Sequence, residues 1–227
     1  MTVRPILLPS PNVDARPTGI PIDMLVLHYT GMESAEAALA RLRDPVYQVS
    51  AHYVVDETGV VYALVDESER AWHAGVSSWR GQRDINARSI GIELVNPGHE
   101  FGYRPFPEAQ MAALEDLATD LLSRHPVPPR NVVGHSDVAP TRKTDPGELF
   151  DWHRLARAGI GLWPSAPTPA DGDGLALLAR YGYDTTDPTA AVMAFQRHFR
   201  PERIDEVLDE ETTGLMRTLL DLTRSAI

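Results

Sequence analysis

The chain has 227 residues, 43 % of them apolar, enough to build a core and to exclude general disorder. Acidic residues outnumber basic ones 32 to 21, a net charge of −11, so the surface repels phosphate backbones and nucleic acid is not an expected partner. Cysteine is absent, which excludes disulfides, thiolate metal sites and thiol nucleophiles.

No segment approaches the roughly 18 consecutive apolar residues that span a bilayer. The first sixteen residues, MTVRPILLPSPNVDAR, carry prolines at 5, 9 and 11 and lack the apolar stretch of a signal peptide. A cytoplasmic location is therefore expected, or a periplasmic one had a leader been removed.

Residues 23–28 (DMLVLH) form a short apolar run that reads as a buried strand ending near Gly31. Residues 34–43 (SAEAALARLR) place apolar residues at helical spacing behind Ser34, an N-cap type. Two strands follow at 50–55 and 60–65, split by the turn-like Asp56–Gly59. An irregular stretch over 66–88 leads to a strand at 89–95 (SIGIELV). An amphipathic helix runs from Pro107 and stops at Pro126, Pro128 and Pro129; a last short strand, 131–134, enters a turn-rich loop. A helix over 150–158 closes this unit. Strands mixed with helices in this order predict an α/β unit over residues 1–163, with one mixed central β-sheet flanked by helices.

Residues 164–174 (PSAPTPADGDG) have the composition of a linker. Helical periodicity returns at 175–181, 188–199 and 210–223, so residues 175–227 form a small all-α unit. From residue 164 onward the chain carries 6 Arg against 11 acidic residues. A unit of roughly 60 residues has only a thin core of its own, so it is expected to dock on the larger one.

Eight histidines are spread along the chain, so a metal site has to be assembled from distant segments. His28 and His135 each close a strand, where side chains are held rigidly at the rim of a sheet. Asp145, ten residues past His135, lies in a loop able to fold back over that rim. Two imidazoles and a carboxylate give Zn²⁺ three ligands and an open fourth position, as a hydrolytic site needs. Against this, a lone histidine is more often structural, Asp145 before Pro146 also suits an ordinary turn, and no HExxH-type spacing is present. Glu93 sits between Ile92 and Leu94 on a strand expected to be buried. Either strand alternation turns it to solvent, or burial raises its pKa toward that of a general base and acid. Of the 21 basic residues twenty are Arg; the one lysine, Lys143, stands two residues before Asp145. It is either a surface lysine or an ammonium held beside the site, where it can stabilise an oxyanion.

These segments together resemble the zinc-dependent N-acetylmuramoyl-L-alanine amidases of the amidase-2 type, the superfamily of phage amidases and peptidoglycan recognition proteins. The resemblance rests on LVLHYTG (25–31), SAHYVVDETG (50–59), AWHAG (71–75), SIGIELVNPG (89–98), YRPFPEAQ (103–110), VVGHSDVAP (132–140) and RKTDPG (142–147). It implies Zn²⁺ bound by His28, His135 and Asp145, Glu93 as general base and then acid, and Lys143 stabilising the tetrahedral intermediate. A tyrosine-based variant of the family does not apply, because Ala51 stands at the relevant position. The implied activity is hydrolysis of the amide between N-acetylmuramic acid, intact or 1,6-anhydro, and L-Ala of the stem peptide. Peptidoglycan or muropeptide fragments are the implied partners, and a monomer is expected. His73, Arg83 and Asn86 fall where the family builds a groove wall and are expected to contact substrate. The tail is similar, more loosely, to helical peptidoglycan-binding domains, through YGYDTTDP (181–188), AVMAFQRHF (191–199) and LDEETTGLM (208–216). The competing reading is a non-catalytic peptidoglycan-recognition module, which is expected to lack a zinc ligand or the glutamate. An unrelated zinc peptidase is a third.

Overall fold

In the computed structural model, which describes residues 4–169 and 172–225, six strands form one sheet. Residues 1–3, 170–171 and 226–227, which include part of the 164–174 segment and the end of the 175–227 unit, lie outside the described residues. The strands are β1 (Ile6–Leu7), β2 (Met24–Tyr29), β3 (Tyr53–Val55), β4 (Val61–Ala63), β5 (Ser89–Leu94) and β6 (Val132–Gly134). They lie side by side in the order β1-β4-β3-β5-β2-β6. Only β3 and β4 pair antiparallel; every other neighbour is parallel, so the sheet is mixed. The strand expected over 50–55 is shorter because Ser50 turns its N–H to the Trp72 carbonyl, at 3.1 Å, before pairing begins.

Alternation along the two central strands divides their side chains between two layers. Leu25, Leu27, Ile90, Ile92 and Leu94 face helix α2 (Glu108–Arg124), whose Met111, Leu114, Leu117 and Leu121 are buried against them. Trp152 and Leu155 of α3 (Trp152–Arg157) join that layer. On α2, Gln110 is fully buried and donates to the Val55 and Val95 carbonyls at 2.9 and 3.0 Å, tying the strand ends together. Helix α1 (Ala35–Arg43) begins where the sequence places it: the Ser34 hydroxyl accepts the Ala37 N–H at 3.2 Å. Its Leu42 packs with Val54, Leu64 and Val95.

The opposite layer is shared with the C-terminal helices α4 (Gly174–Tyr181), α5 (Pro188–Phe199) and α6 (Glu210–Ser225). Leu178, Tyr181, Phe195, Met216 and Leu219 form one continuous cluster with Met24, Val26, Trp79, Val133 and Val138. Trp79 is the keystone of that contact: 2 % exposed, it meets Tyr183 and Tyr181 edge to face, at ring separations of 5.1 and 5.9 Å. The helical unit thus completes its thin core with side chains of the sheet layer. The segment leading to it is also held, since Thr168 N–H bonds the Gly214 carbonyl and the Thr218 hydroxyl bonds that of Ala166.

On the α2 side, the Glu67 carboxylate accepts hydrogen bonds from Tyr53, Arg124 and His125, joining the end of α2 to strand β3. Burial pushes this carboxyl up, but the hydrogen bonds outweigh it and bring its pKa down to about 2. A depressed carboxylate contributes stability above its ordinary pKa and loses it as pH falls through the folded value. The urea stability of the wild-type chain is therefore expected to exceed that of Glu67→Gln near neutral pH. The gap should close between pH 4.5 and about 2. A gap that stays constant across that window would show the carboxylate contributes no pH-linked stability.

Candidate metal centre

The register of the two central strands assembles the site. His28 of β2 lies opposite Glu93 of β5, and Val26 opposite Gly91, so paired side chains emerge on the same face, next to each other. Strand β6 runs parallel to β2 with Gly134 opposite Leu27, which brings His135 to the same carboxyl edge. Open α/β sheets place their ligand sites at this edge. His135 opens a single helical turn, His135–Val138, and the chain then folds back: Ser136 N–H donates to the Asp145 carbonyl at 2.9 Å. His28, His135 and Asp145, remote in sequence, are thereby buried together.

Their atoms converge tightly. His28 Nδ1 is 3.0 Å from His135 Nδ1, and Asp145 Oδ2 is 3.0 and 3.1 Å from the two nitrogens. The protonation of each imidazole can be traced from its far side. The Ser89 hydroxyl donates to the Ile85 carbonyl at 2.7 Å, so toward His73 it accepts, from Nε2–H at 3.1 Å. His73 Nδ1 then accepts from His28 Nε2–H at 3.0 Å, leaving a lone pair on His28 Nδ1. His135 Nε2–H donates to the Ala74 carbonyl at 3.1 Å, which leaves a lone pair on its Nδ1 as well. Burial, reinforced by His135, lowers the His28 pKa to about 4, in keeping with a neutral ring. Burial pushes the Asp145 carboxyl up, but His135 and His28 outweigh it and hold it well below the usual range.

Three lone-pair atoms therefore face one another with no proton between them. Such a set repels itself unless a cation sits among them. Ligands held at about 2.0–2.2 Å by a tetrahedral zinc lie about 3.3 Å apart, so the observed triangle fits such an ion. The backs of both imidazoles are already oriented, as metal-binding histidines require.

Glu93 stands on the same face as His28. Its Oε2 is sealed from solvent and has no hydrogen-bond partner among the described residues. Burial, with the charge of Asp145, pushes its pKa well above the usual carboxylate value, while Lys143 works in the opposite sense. Lys143 and Glu93 both line a groove of about 620 Å³ that also exposes Tyr29, Trp72, His135 and Asp145. One open cavity thus presents a raised carboxyl, an ammonium and two of the three residues that could hold a metal ion, His135 and Asp145.

The Amidase_2 family, described as N-acetylmuramoyl-L-alanine amidase, matches residues 18–148, a span that holds His28, Glu93, His135, Lys143 and Asp145. The chain belongs to that family. It is 42 % identical to the N-acetylmuramoyl-L-alanine amidase AmiD of Escherichia coli, over 88 % of this chain and 83 % of that protein. Similarity to the 1,6-anhydro-N-acetylmuramyl-L-alanine amidase AmpD of Haemophilus influenzae is 34 %, over 64 % of this chain and 86 % of the relative. Among solved structures, AmiD of E. coli in complex with anhydro-N-acetylmuramic acid-L-Ala-D-gamma-Glu-L-Lys superposes with a TM-score of 0.81 at 41 % identity, covering 90 % of this chain and 91 % of that one. AmpDh3 of Pseudomonas aeruginosa gives 0.80 at 34 % identity, covering 91 % and 94 %.

Of the three residues expected to contact substrate in this amidase, His73 lines the groove, whereas Asn86 and Arg83 lie outside its lining. Asn86 is buried and its Oδ1 accepts the backbone N–H groups of His73 and Ala74, at 3.1 and 2.7 Å, so it shapes the loop from inside. Arg83 is exposed on the hairpin formed by Ser78–Trp79 and Gln82–Arg83, and lines a separate depression beside Asp184. His73 borders the groove, but both ring nitrogens are spent on His28 and Ser89. Its ring lies over Gly91, where a Cβ would come within 2.4 Å of it, so only glycine leaves room. Sequence reasoning missed Ser89 and the Ala74 carbonyl as the groups that orient the imidazoles. A small hydroxyl at the buried start of a strand is the signal that could have drawn attention to Ser89. Ser89→Ala should leave the fold intact and weaken metal binding about 10–100-fold, measured by chelator competition. An unchanged affinity would show that His28 is oriented without the Ser89–His73 chain.

Proposed function

We propose that this amidase uses zinc held by His28, His135 and Asp145 to hydrolyse the amide between N-acetylmuramic acid and L-Ala of the stem peptide, and that it accepts the 1,6-anhydro form. The observation that carries the reading is the convergence of three lone-pair atoms beside the unpartnered, raised carboxyl of Glu93. The anhydro substrate is supported by the solved complexes of AmiD with an anhydromuramoyl tripeptide and of AmpDh3 with an anhydromuramic pentapeptide. A recognition module would have no use for a raised carboxyl with an unpartnered oxygen in its groove.

Zinc, when bound, supplies Lewis-acid polarisation of a carbonyl and acidification of water. Glu93 takes a proton from the attacking water and hands it to the leaving L-Ala nitrogen, a double duty for which a pKa raised above the usual carboxylate value is suited. Lys143 offers a compact ammonium to the lactyl carbonyl oxygen as that atom gains negative charge. Water adds to the carbonyl carbon, the C–N bond breaks, and a lactyl carboxylate and a free amine result. The helices from residue 174 onward pack on the same face of the sheet that carries His28 and Glu93.

The test is release of free peptide from anhydro-muropeptides, followed chromatographically. Glu93→Gln should keep stoichiometric zinc and lose about 10²–10⁴-fold in kcat. His28→Ala and His135→Ala should lose the metal itself. Full turnover by Glu93→Gln would sink the proton-transfer role, and undiminished zinc in both histidine variants would sink the ligand assignment.

A further inference from the structure

Asp137 is fully buried, two residues after His135, in the same four-residue helical turn. Its Oδ2 accepts the Gly134 N–H at 2.7 Å and the His198 Nδ1–H at 2.7 Å, and its Oδ1 accepts the Tyr183 hydroxyl at 2.5 Å. Two of these three donors come from the C-terminal helical unit. Both are fixed in turn. The His198 ring is stacked between Trp152 and Phe199, at centroid separations of 3.7 and 3.8 Å, and Tyr183 meets Trp79 edge to face.

Adhesion alone does not call for this arrangement. The C-terminal helices already bury a broad apolar cluster against the sheet layer. A carboxylate taken out of water is costly, and apolar residues of the same volume would hold the units together at least as well. What the carboxylate adds is direction, because three hydrogen bonds from three elements fix its position. The turn passes that direction on: His135 supplies a converging nitrogen, Ser136 anchors the Asp145 loop, and Val138 packs into the shared cluster.

We propose that the C-terminal helical unit is a brace for the metal centre, with Tyr183 and His198 as positioning residues that act through Asp137 on His135. This rests on the reading of His135 as a zinc ligand. The test uses the full chain and measures zinc affinity by competition with a chromophoric chelator, and site geometry by the visible absorption of the Co²⁺-loaded protein. The double variant Tyr183→Phe/His198→Phe keeps the aromatic packing and removes both donors. It should raise the zinc dissociation constant about tenfold or more and alter the Co²⁺ bands. His198→Asn, which restores a donor near the Nδ1 position, should recover much of the loss relative to His198→Phe. Leu219→Ala, a cavity variant in the shared core that does not touch Asp137, should lower Tm while leaving zinc affinity within about threefold. If the double variant does not fold, Tyr183→Phe alone is expected to weaken zinc about threefold or more. Unchanged affinity in the donor-lacking variants, or an equal loss in Leu219→Ala, overturns the brace. A wild-type chain that takes up no zinc overturns the metal reading, and the brace with it.

Discussion

Everything at the active edge depends on the register between two parallel strands. Pairing His28 with Glu93 sets an imidazole of the candidate metal triangle and the carboxyl of Glu93 side by side on one face, with no loop to adjust their spacing. A slip of β2 by one residue would turn His28 into the apolar layer under α2 and part it from Glu93. Such a slip is disfavoured, because it would bury a polar ring among apolar side chains and exchange two differently packed layers. The packing that fixes the sheet therefore also fixes the geometry of the candidate site.

Around that register the protein spends its polar groups on holding imidazoles still. Ser89 and His73 set one ring, the Ala74 carbonyl sets the other, and Arg142 donates to that carbonyl as well. Arg16 continues this behind His73: its guanidinium bonds the Asn86, Ala87 and Ser89 carbonyls at 2.8–3.1 Å, pinning the turn that carries the His73 supports. The result is a site whose repelling lone pairs are kept together by the surrounding framework, so an arriving cation has little reorganisation to pay for.

Much of this was legible in the sequence, for identifiable reasons. Apolar runs ending in His28 and His135 declared strand ends, and Ser34 and the prolines after 125 marked helix limits, because these signals are local. Glu93 was conspicuous because alternation alone could not say whether it was sealed or solvated; in the fold it is half-buried, lining the groove with Oε2 shut off from solvent. The inward turn of Asn86 onto the His73 and Ala74 N–H groups was not legible, because a loop's sequence does not reveal which polar groups it turns inward to satisfy its own backbone. The contact of Tyr183 and His198 with Asp137 was invisible for a different reason. It joins residues 46 and 61 positions apart through the packing of a whole helical unit.

Lys143 was first conspicuous only as the single lysine among twenty arginines. In the folded chain it opens onto the groove that holds Glu93 and Asp145. Guanidinium groups are inert to mild acylating reagents, whereas a primary amine is not. Apart from an α-amino group, the 227 residues therefore offer amine chemistry one side-chain address, and it opens onto the groove of Glu93 and Asp145.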